Sequence, residues 1–293
     1  MARRGFCLFK MKIIDAHLHF SKCEGFDEVA RAAGHCNEAE NLKAAFDECG
    51  IVLGIAMGEM GGERIEGVAT PRLPNCPQPP FLVHCAGLES CELSRETLDR
   101  SLELFDAEFR KPDCVGLKLY PGYNPVPLND PLHEPYFALA AKHDLPVVIH
   151  TGELAGTRGL LRFSHPLNVD ELAVKHPENR FVMAHYGNPW IVDATAVAQK
   201  NPNVFLDLSG LAEGNYTTDA YLKKFHGHME HIRHWLEYLD DFGKVMYGSD
   251  WPLINIPCYV GVIRSLIPEE FREQVFFENA CRIFPKVGAR LKK

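Results

Sequence analysis

The sequence predicts an α/β protein folded as a TIM (β/α)8 barrel. Short, nearly continuous apolar runs occur eight times. Each is followed by polar or Gly-rich residues and then by a longer stretch with helical spacing. The eight units together fill roughly 250 residues, the span of such a barrel. Apolar runs without strict polar alternation mark strands buried on both faces of a parallel sheet. A doubly wound open sheet competes, but it carries a Gly-rich nucleotide turn after its first strand, where this chain has AHLHFS.

The first strand is KIIDAHLH (12–19) and the second IVLGIAM (51–57). Between them NEAENLKAAFDECG (37–50) reads as a helix, with Leu42, Ala45, Phe46 and Cys49 on one face and Gly50 as the stop. The Pro-rich TPRLPNCPQPP (70–80) is a loop leading to the third strand, FLVHCAG (81–87). Ser94 is the expected N-cap of the next helix, whose stripe is Leu98, Leu102, Phe105 and Phe109, with Pro112 just past its end. Strands four to eight are CVGLKLY, PVVIHTG, FVMAHYG, VFLDLSG and KVMYGSD, separated by helices expected over 136–143, 169–176, 191–200 and 216–239. No low-complexity linker or tandem repeat divides the chain, so 12–293 reads as a single barrel domain and 1–11 as a disordered N-terminal arm.

Composition narrows the function classes. Of the 293 residues, 46% are hydrophobic and 24% charged, which is ordinary globular usage. A formal net charge of -8 does not suit a protein that must neutralise many nucleic-acid phosphates. The ten cysteines are scattered without a C-x-x-C pair, as expected of reduced thiols in a cytoplasm. The leader MARRGFCLFKMK has too short an apolar stretch for a signal peptide, and no run of about 18 apolar residues is present to span a membrane.

In IIDAHLHF, residues i and i+2 of a strand share a face, so His17 and His19 aim two imidazoles at one point. That is half of a metal site, or simply two histidines satisfied by hydrogen bonds. In a barrel the C-terminal strand ends converge on one mouth. Those ends supply His17 and His19 from strand one, Lys118 from four, His150 from five, His185 from six and Asp250 from eight. Imidazoles with a carboxylate suit zinc or a similar divalent ion. Lys118 alternatively anchors an acidic substrate or pairs with Asp15 or Asp207. His84, in mid-strand, reads as structural; His226, His228, His231 and His234 read as the solvated face of a polar helix.

The ordered series IDAHLHF, GLKLYP, PVVIHTG, FVMAHYGNPW, VFLDLSG, VMYGSDWP and ENACRIFP resembles the amidohydrolase superfamily, in particular the amidohydrolase-related branch that includes aminocarboxymuconate semialdehyde decarboxylase. The resemblance runs from about Lys12 to Pro285. It implies that His17, His19, His150 and Asp250 hold one divalent ion, Zn2+ first and Mn2+ as the alternative, with His185 and Asp250 as acid/base groups. In binuclear members a strand-four lysine, here Lys118, is carboxylated and bridges to a second ion bound by the strand-five and strand-six histidines. The branch usually works with one.

The implied chemistry is hydrolysis of an amide, lactone or ester by metal-activated water. Non-oxidative decarboxylation of an unsaturated or aromatic carboxylic acid uses the same ligands; Lys118 is more at home in the hydrolases. A barrel that has lost activity and serves as a binding protein is the third reading. Expected substrate contacts are Tyr120 and Tyr123 after strand four, Arg158 and Arg162 after strand five, Trp190 after six and Trp251 after eight. The two arginines imply a small carboxylate-bearing substrate, because guanidinium pairs with carboxylate in a forked geometry. The resemblance implies a homodimer as one arrangement, with 216–239 either forming its contact surface or packing on the barrel.

Overall fold

A computed structural model describes residues 11–58, 64–65, 68–73 and 76–292. Eight parallel strands follow one another in chain order around the sheet. They are β1 (Ile13–Leu18), β2 (Ile51–Met57), β3 (Leu82–Leu88), β4 (Cys114–Leu119), β5 (Val147–Ile149), β6 (Phe181–Met183), β7 (Val204–Asp207) and β8 (Val245–Met246). Every apolar run read as a strand contains one. The chain beyond β8 closes the circle. Ala16 N–H donates to the Tyr247 carbonyl at 2.9 Å, and Ser249 and Asp250 N–H donate to the His17 carbonyl at 3.0 and 2.8 Å. The fold is the predicted TIM barrel.

The crossovers are α1 (Phe26–Ala32) and α2 (Ala39–Cys49), α3 (Leu98–Phe109), α4 (Glu134–Lys142), α5 (Leu161–Ser164) and α6 (Leu167–Lys175), α7 (Ile191–Lys200), and α8 (Thr218–Lys224) and α9 (His226–Leu239). Gly50 ends α2 in the left-handed conformation, φ 80°, as its position suggested. Two expectations need correction. The segment 216–239 is two helices, broken at Phe225. Ser94 does not cap α3: its hydroxyl accepts from Thr97 N–H at 3.3 Å in a separate turn, and the helix starts after Thr97. The β2–β3 connection carries a small hairpin, Arg64–Ile65 with Val68–Ala69, followed by the Pro-rich loop. Of the predicted arm only Met11 lies among the described residues.

Inside the barrel, Ile14, Ala16, Ile55, Val83, Val115, Val148 and Val182 form one apolar cluster with Ala280, Ile283, Phe284 and Val287 of the C-terminal helices α11 (Asn279–Ile283) and α12 (Pro285–Leu291), which follow α10 (Ile256–Leu266). Lys286 donates to the Lys111 and Cys114 carbonyls just before and at the start of β4, so these helices plug the end where strands begin. The opposite end is left for the site. No helix among the described residues is long and apolar enough to cross a membrane.

One irregularity in β1 matters for function. Ile14 and Ala16 face the barrel interior, whereas Leu18 belongs to the outer cluster against the helices. The side-chain alternation therefore changes phase between Ala16 and Leu18, where the pairing with β2 also shifts register. Without that bulge the period of two would send His17 and His19 outward.

His84, in β3, faces the helix layer, and its Nε2 meets Glu108 Oε1 of α3 at 2.9 Å with both residues buried. Burial alone would lower the His84 pKa, but Cys114 and Glu108 beside it raise it from 6.5 to about 9. Glu108 is held below its ordinary 4.5 against burial by His84 and Lys111. The histidine contribution is complete below pH 6.5 and lost as pH rises through about 9; the glutamate contribution is lost as pH falls below 4.5. With a chelator present, Glu108→Gln is expected to cost about 3 kcal/mol at about pH 5.5 in denaturant unfolding. The gap to wild type should narrow steadily by pH 9.

Candidate metal centre

The centre is built outward from His17, which is fully buried. Its Nδ1 lies 2.9 Å from Asp207 Oδ2, at the last residue of β7. Burial would protonate Asp207, but His17, His185 and Ser209 hold its carboxyl far below the usual carboxylate range. An ionised carboxylate only accepts, so the His17 proton sits on Nδ1 and the lone pair on Nε2. That Nε2 is buried with no hydrogen-bond partner, 3.6 Å from Asp250 Oδ1. His19 Nε2 comes within 2.9 Å of the same oxygen.

His185 and His150 complete the cluster. His185 Nδ1 is 3.8 Å from Asp250 Oδ2 and 2.9 Å from the Ser209 hydroxyl. Its Nε2 is 3.1 Å from His150 Nδ1, while His150 Nε2 donates to the Glu153 carbonyl at 2.9 Å. His150 therefore joins the cluster through His185. His17, His185 and Asp250 each offer one ligand atom, all within 4.8 Å of one another. Lys118 is fully buried, its Nζ 4.8 Å from the centre of the Tyr120 ring.

Burial and then the Lys118 charge lower the His17 pKa from 6.5 to about 3, and burial lowers His150 and His185 as well. Asp250 stays ionised: burial opposes this, but His185, His19 and His17 outweigh it. Neutral imidazoles beside an ionised carboxylate are the protonation states a divalent cation requires. The donors present fit such an ion.

Backbone geometry serves the same cluster. His185 and Asp250 adopt left-handed φ values of 60° and 64°, uncommon outside glycine and typical of strain held at a working site. Gly210, at φ +63°, makes room for them: a Cβ there would lie 2.7 Å from Asp250 Oδ2 and 2.9 Å from His185 Nδ1. Gly210→Ala is expected to cost about 100-fold in turnover by displacing both groups, with the circular dichroism spectrum unchanged.

A cavity of about 160 Å³ opens at this point, walled by Tyr123, Glu153, Asn188 and Glu213 beside His185 and Asp250. Tyr123 accepts from Ala155 N–H at 2.7 Å, and Glu213 has its pKa raised by burial, Asp250 and Glu153. Of the substrate contacts expected from sequence, Tyr123 lines the cavity and the others do not. Tyr120 sits one layer back, stacked on His150 at 6.3 Å between ring centres. Arg162 lies over the Phe163 ring at 4.6 Å and lines a separate cleft with Asn129 and Glu171; Arg158 is exposed. Trp190 packs on His165 at 4.7 Å, and Trp251 is buried against His35 at 5.7 Å. The loop after β5 is tied back at its start, where Gly152 N–H donates to Ser164 and Glu153 N–H to Asn188, so Glu153 to Ala155 face the cavity and the arginines fall outside. His226, His231 and His234 are exposed on α9, as read from sequence, and His228 is half-buried.

Asp207 was the site residue to find. It stands at the end of β7, where the rule that selected the other strand ends selects it too. Asp207→Asn should free the His17 tautomer and weaken metal binding about 10- to 100-fold, measured by competition with a chelating dye.

An eight-stranded barrel with imidazoles and a carboxylate gathered at its mouth is the architecture of an amidohydrolase-type enzyme. The family model Amidohydro_2, described as Amidohydrolase, matches residues 14–286, and the chain belongs to that family. No curated protein sequence matches the chain at a significant level. Among solved structures, an uncharacterized TIM-barrel protein from Bordetella bronchiseptica is similar at TM-score 0.70 and 19% identity, covering 94% of this chain and 99% of its own. A probable 2-pyrone-4,6-dicarboxylic acid hydrolase from Acinetobacter baumannii is similar at TM-score 0.58 and 15% identity, with the same coverages. A 5-carboxyvanillate decarboxylase from Sphingomonas paucimobilis is similar at 0.59 and 13%, again covering 94% and 99%.

Proposed function

We propose that this protein is a metal-dependent hydrolase that cleaves an amide, lactone or ester bond in a small substrate carrying a single carboxylate. The observation that carries the reading is the unpartnered, buried His17 Nε2, which faces Asp250 with His19 and His185 beside it. A single divalent cation, Zn2+ first and Mn2+ second, supplies Lewis acidity there and brings the pKa of a water towards about 7. Asp250, ionised at neutral pH, takes a proton from water at this point. His185, whose Nδ1 lies 3.8 Å from Asp250 Oδ2, receives that proton from Asp250 and returns it to the leaving group. We read the fully buried Lys118 as an unmodified ammonium that adds positive charge behind the imidazoles, in keeping with one ion.

The wall charges bear on the substrate. Glu153 and Glu213 line the cavity and no arginine does among the described residues. This favours a carboxylate directed inward to the cationic floor over a dicarboxylate, and groups that donate hydrogen bonds on the outer side. Arg158→Gln and Arg162→Gln should accordingly leave KM within about twofold, as expected of loop charges outside the contact set.

Decarboxylation of an aromatic or unsaturated acid is the second reading, since the same donors serve it and a decarboxylase shares the fold. Isotopes separate the two. Metal-loaded protein is incubated with lactones, esters, N-acyl compounds and aromatic acids in 18O-water or in D2O. One 18O per product carboxyl supports hydrolysis; carbon dioxide with deuterium on the product carbon overturns it. No turnover of any compound by fully loaded protein counts for the binding-protein reading.

A further inference from the structure

A second cluster of metal-ligand side chains lies on the outer side of the barrel, near the end where strands begin. His84 of β3, Glu108 of α3 and Cys114, the first residue of β4, each offer one ligand atom, and the three lie within 4.8 Å of one another. All three residues are buried, at 3%, 3% and 0% exposure. We propose that His84, Glu108 and Cys114 form a structural zinc site that ties α3 to the β3–β4 edge, separate from the centre at the barrel mouth.

Several features support it. His84 Nδ1 is buried without a well-formed hydrogen bond, and the Cys114 thiol is the group that interacts with this imidazole. The Cys114 thiol also makes a long contact, 3.8 Å, with the Gly116 carbonyl. Both Glu108 oxygens are paired, Oε2 with Lys111 at 2.6 Å and Oε1 with His84 Nε2 at 2.9 Å, so metal binding exchanges the second contact for coordination. Lys286 lies on the same edge, but its ammonium is occupied by the Phe109, Lys111 and Cys114 carbonyls. One thiolate, one imidazole and one carboxylate make a borderline-soft donor set suited to Zn2+. In a tetrahedral site such donors stand about 3.5 Å apart, so separations of up to 4.8 Å have to contract to that distance.

An entry path and a fourth ligand are also at hand. A cavity of about 220 Å³ opens onto His84 and Glu108, walled by Thr70, Gln78, Lys111 and Asp113. Its walls include these polar side chains, and it is large enough to hold a water in the fourth position. Binding replaces the thiol proton and the imidazolium proton with the cation, so those protons are released and affinity rises with pH.

The test uses full-length His17→Ala/His19→Ala protein stripped of metal, which isolates this cluster, titrated with CoCl2. The expected result is a near-ultraviolet thiolate-to-cobalt charge-transfer band that saturates at one equivalent per chain and raises Tm. Cys114→Ser in the same background should lose the band and the Tm increase, and Cys36→Ser, at an exposed thiol, should keep both. If Cys114→Ser folds poorly, His84→Gln retains the thiol and should weaken cobalt binding more than about 100-fold. No band in the parent, a band that survives Cys114→Ser, or unaltered affinity in His84→Gln overturns the proposal.

Discussion

Protein carrying His17→Ala and His19→Ala is expected to lose the ion at the barrel mouth and at least about 10³-fold of kcat/KM, the several kcal/mol that a Lewis acid supplies at a developing charge. Two donors vanish at once, and Asp250 loses two of the groups that hold it ionised. Elemental analysis after dialysis checks the first half. Wild-type protein should retain about one equivalent at the mouth, and the variant none there. If the cluster at His84 also holds zinc, total metal falls from two to one, with Cys114→Ser removing the other. The two sites are therefore counted independently.

Asp250→Asn carries the other large effect. Asn keeps the shape and the left-handed backbone, which it tolerates better than most residues. It removes the charge that the three imidazoles face and the group that takes the proton. A loss of about 10³- to 10⁴-fold in kcat is expected, since both ligation and general-base catalysis fail together. Fold should be preserved, because Asp250 N–H still donates to the His17 carbonyl. A variant with metal bound and kcat within tenfold of wild type would reassign the base to His185.

Much of the site was legible at the level of position. The strand-end rule picked out His17, His19, Lys118, His150, His185 and Asp250, and the structure brings all six to one end of the barrel. It was less informative about roles. His150, expected as a metal ligand from the family resemblance, lines the cavity with His185 and Asp250, its Nε2 donating to the Glu153 carbonyl and its Nδ1 3.1 Å from His185 Nε2. Arg158 and Arg162 were read as substrate contacts because they follow β5 closely, yet the tied loop start places Glu153 at the cavity and the arginines outside it. Glu213 offered no signal at all: it lies in a loop beyond β7, and only folding brings it beside Asp250.

The sequence by itself determined the barrel and the identity of its strand ends. Eight apolar runs require a parallel sheet covered on both faces, and AHLHFS in place of a Gly-rich turn after the first strand favours the closed barrel over the open sheet. Tertiary structure alone decided where those residues point. A register shift in β1 turns His17 and His19 to the mouth, and left-handed backbone at His185 and Asp250 aims their side chains at each other. Asp207 orients His17 across 190 residues of chain. Hydrophobic pattern carries no information on a single-residue phase change, on the sign of φ, or on which distant carboxylate meets which imidazole. Those are settled when the chain closes on itself and each buried polar atom must find its partner.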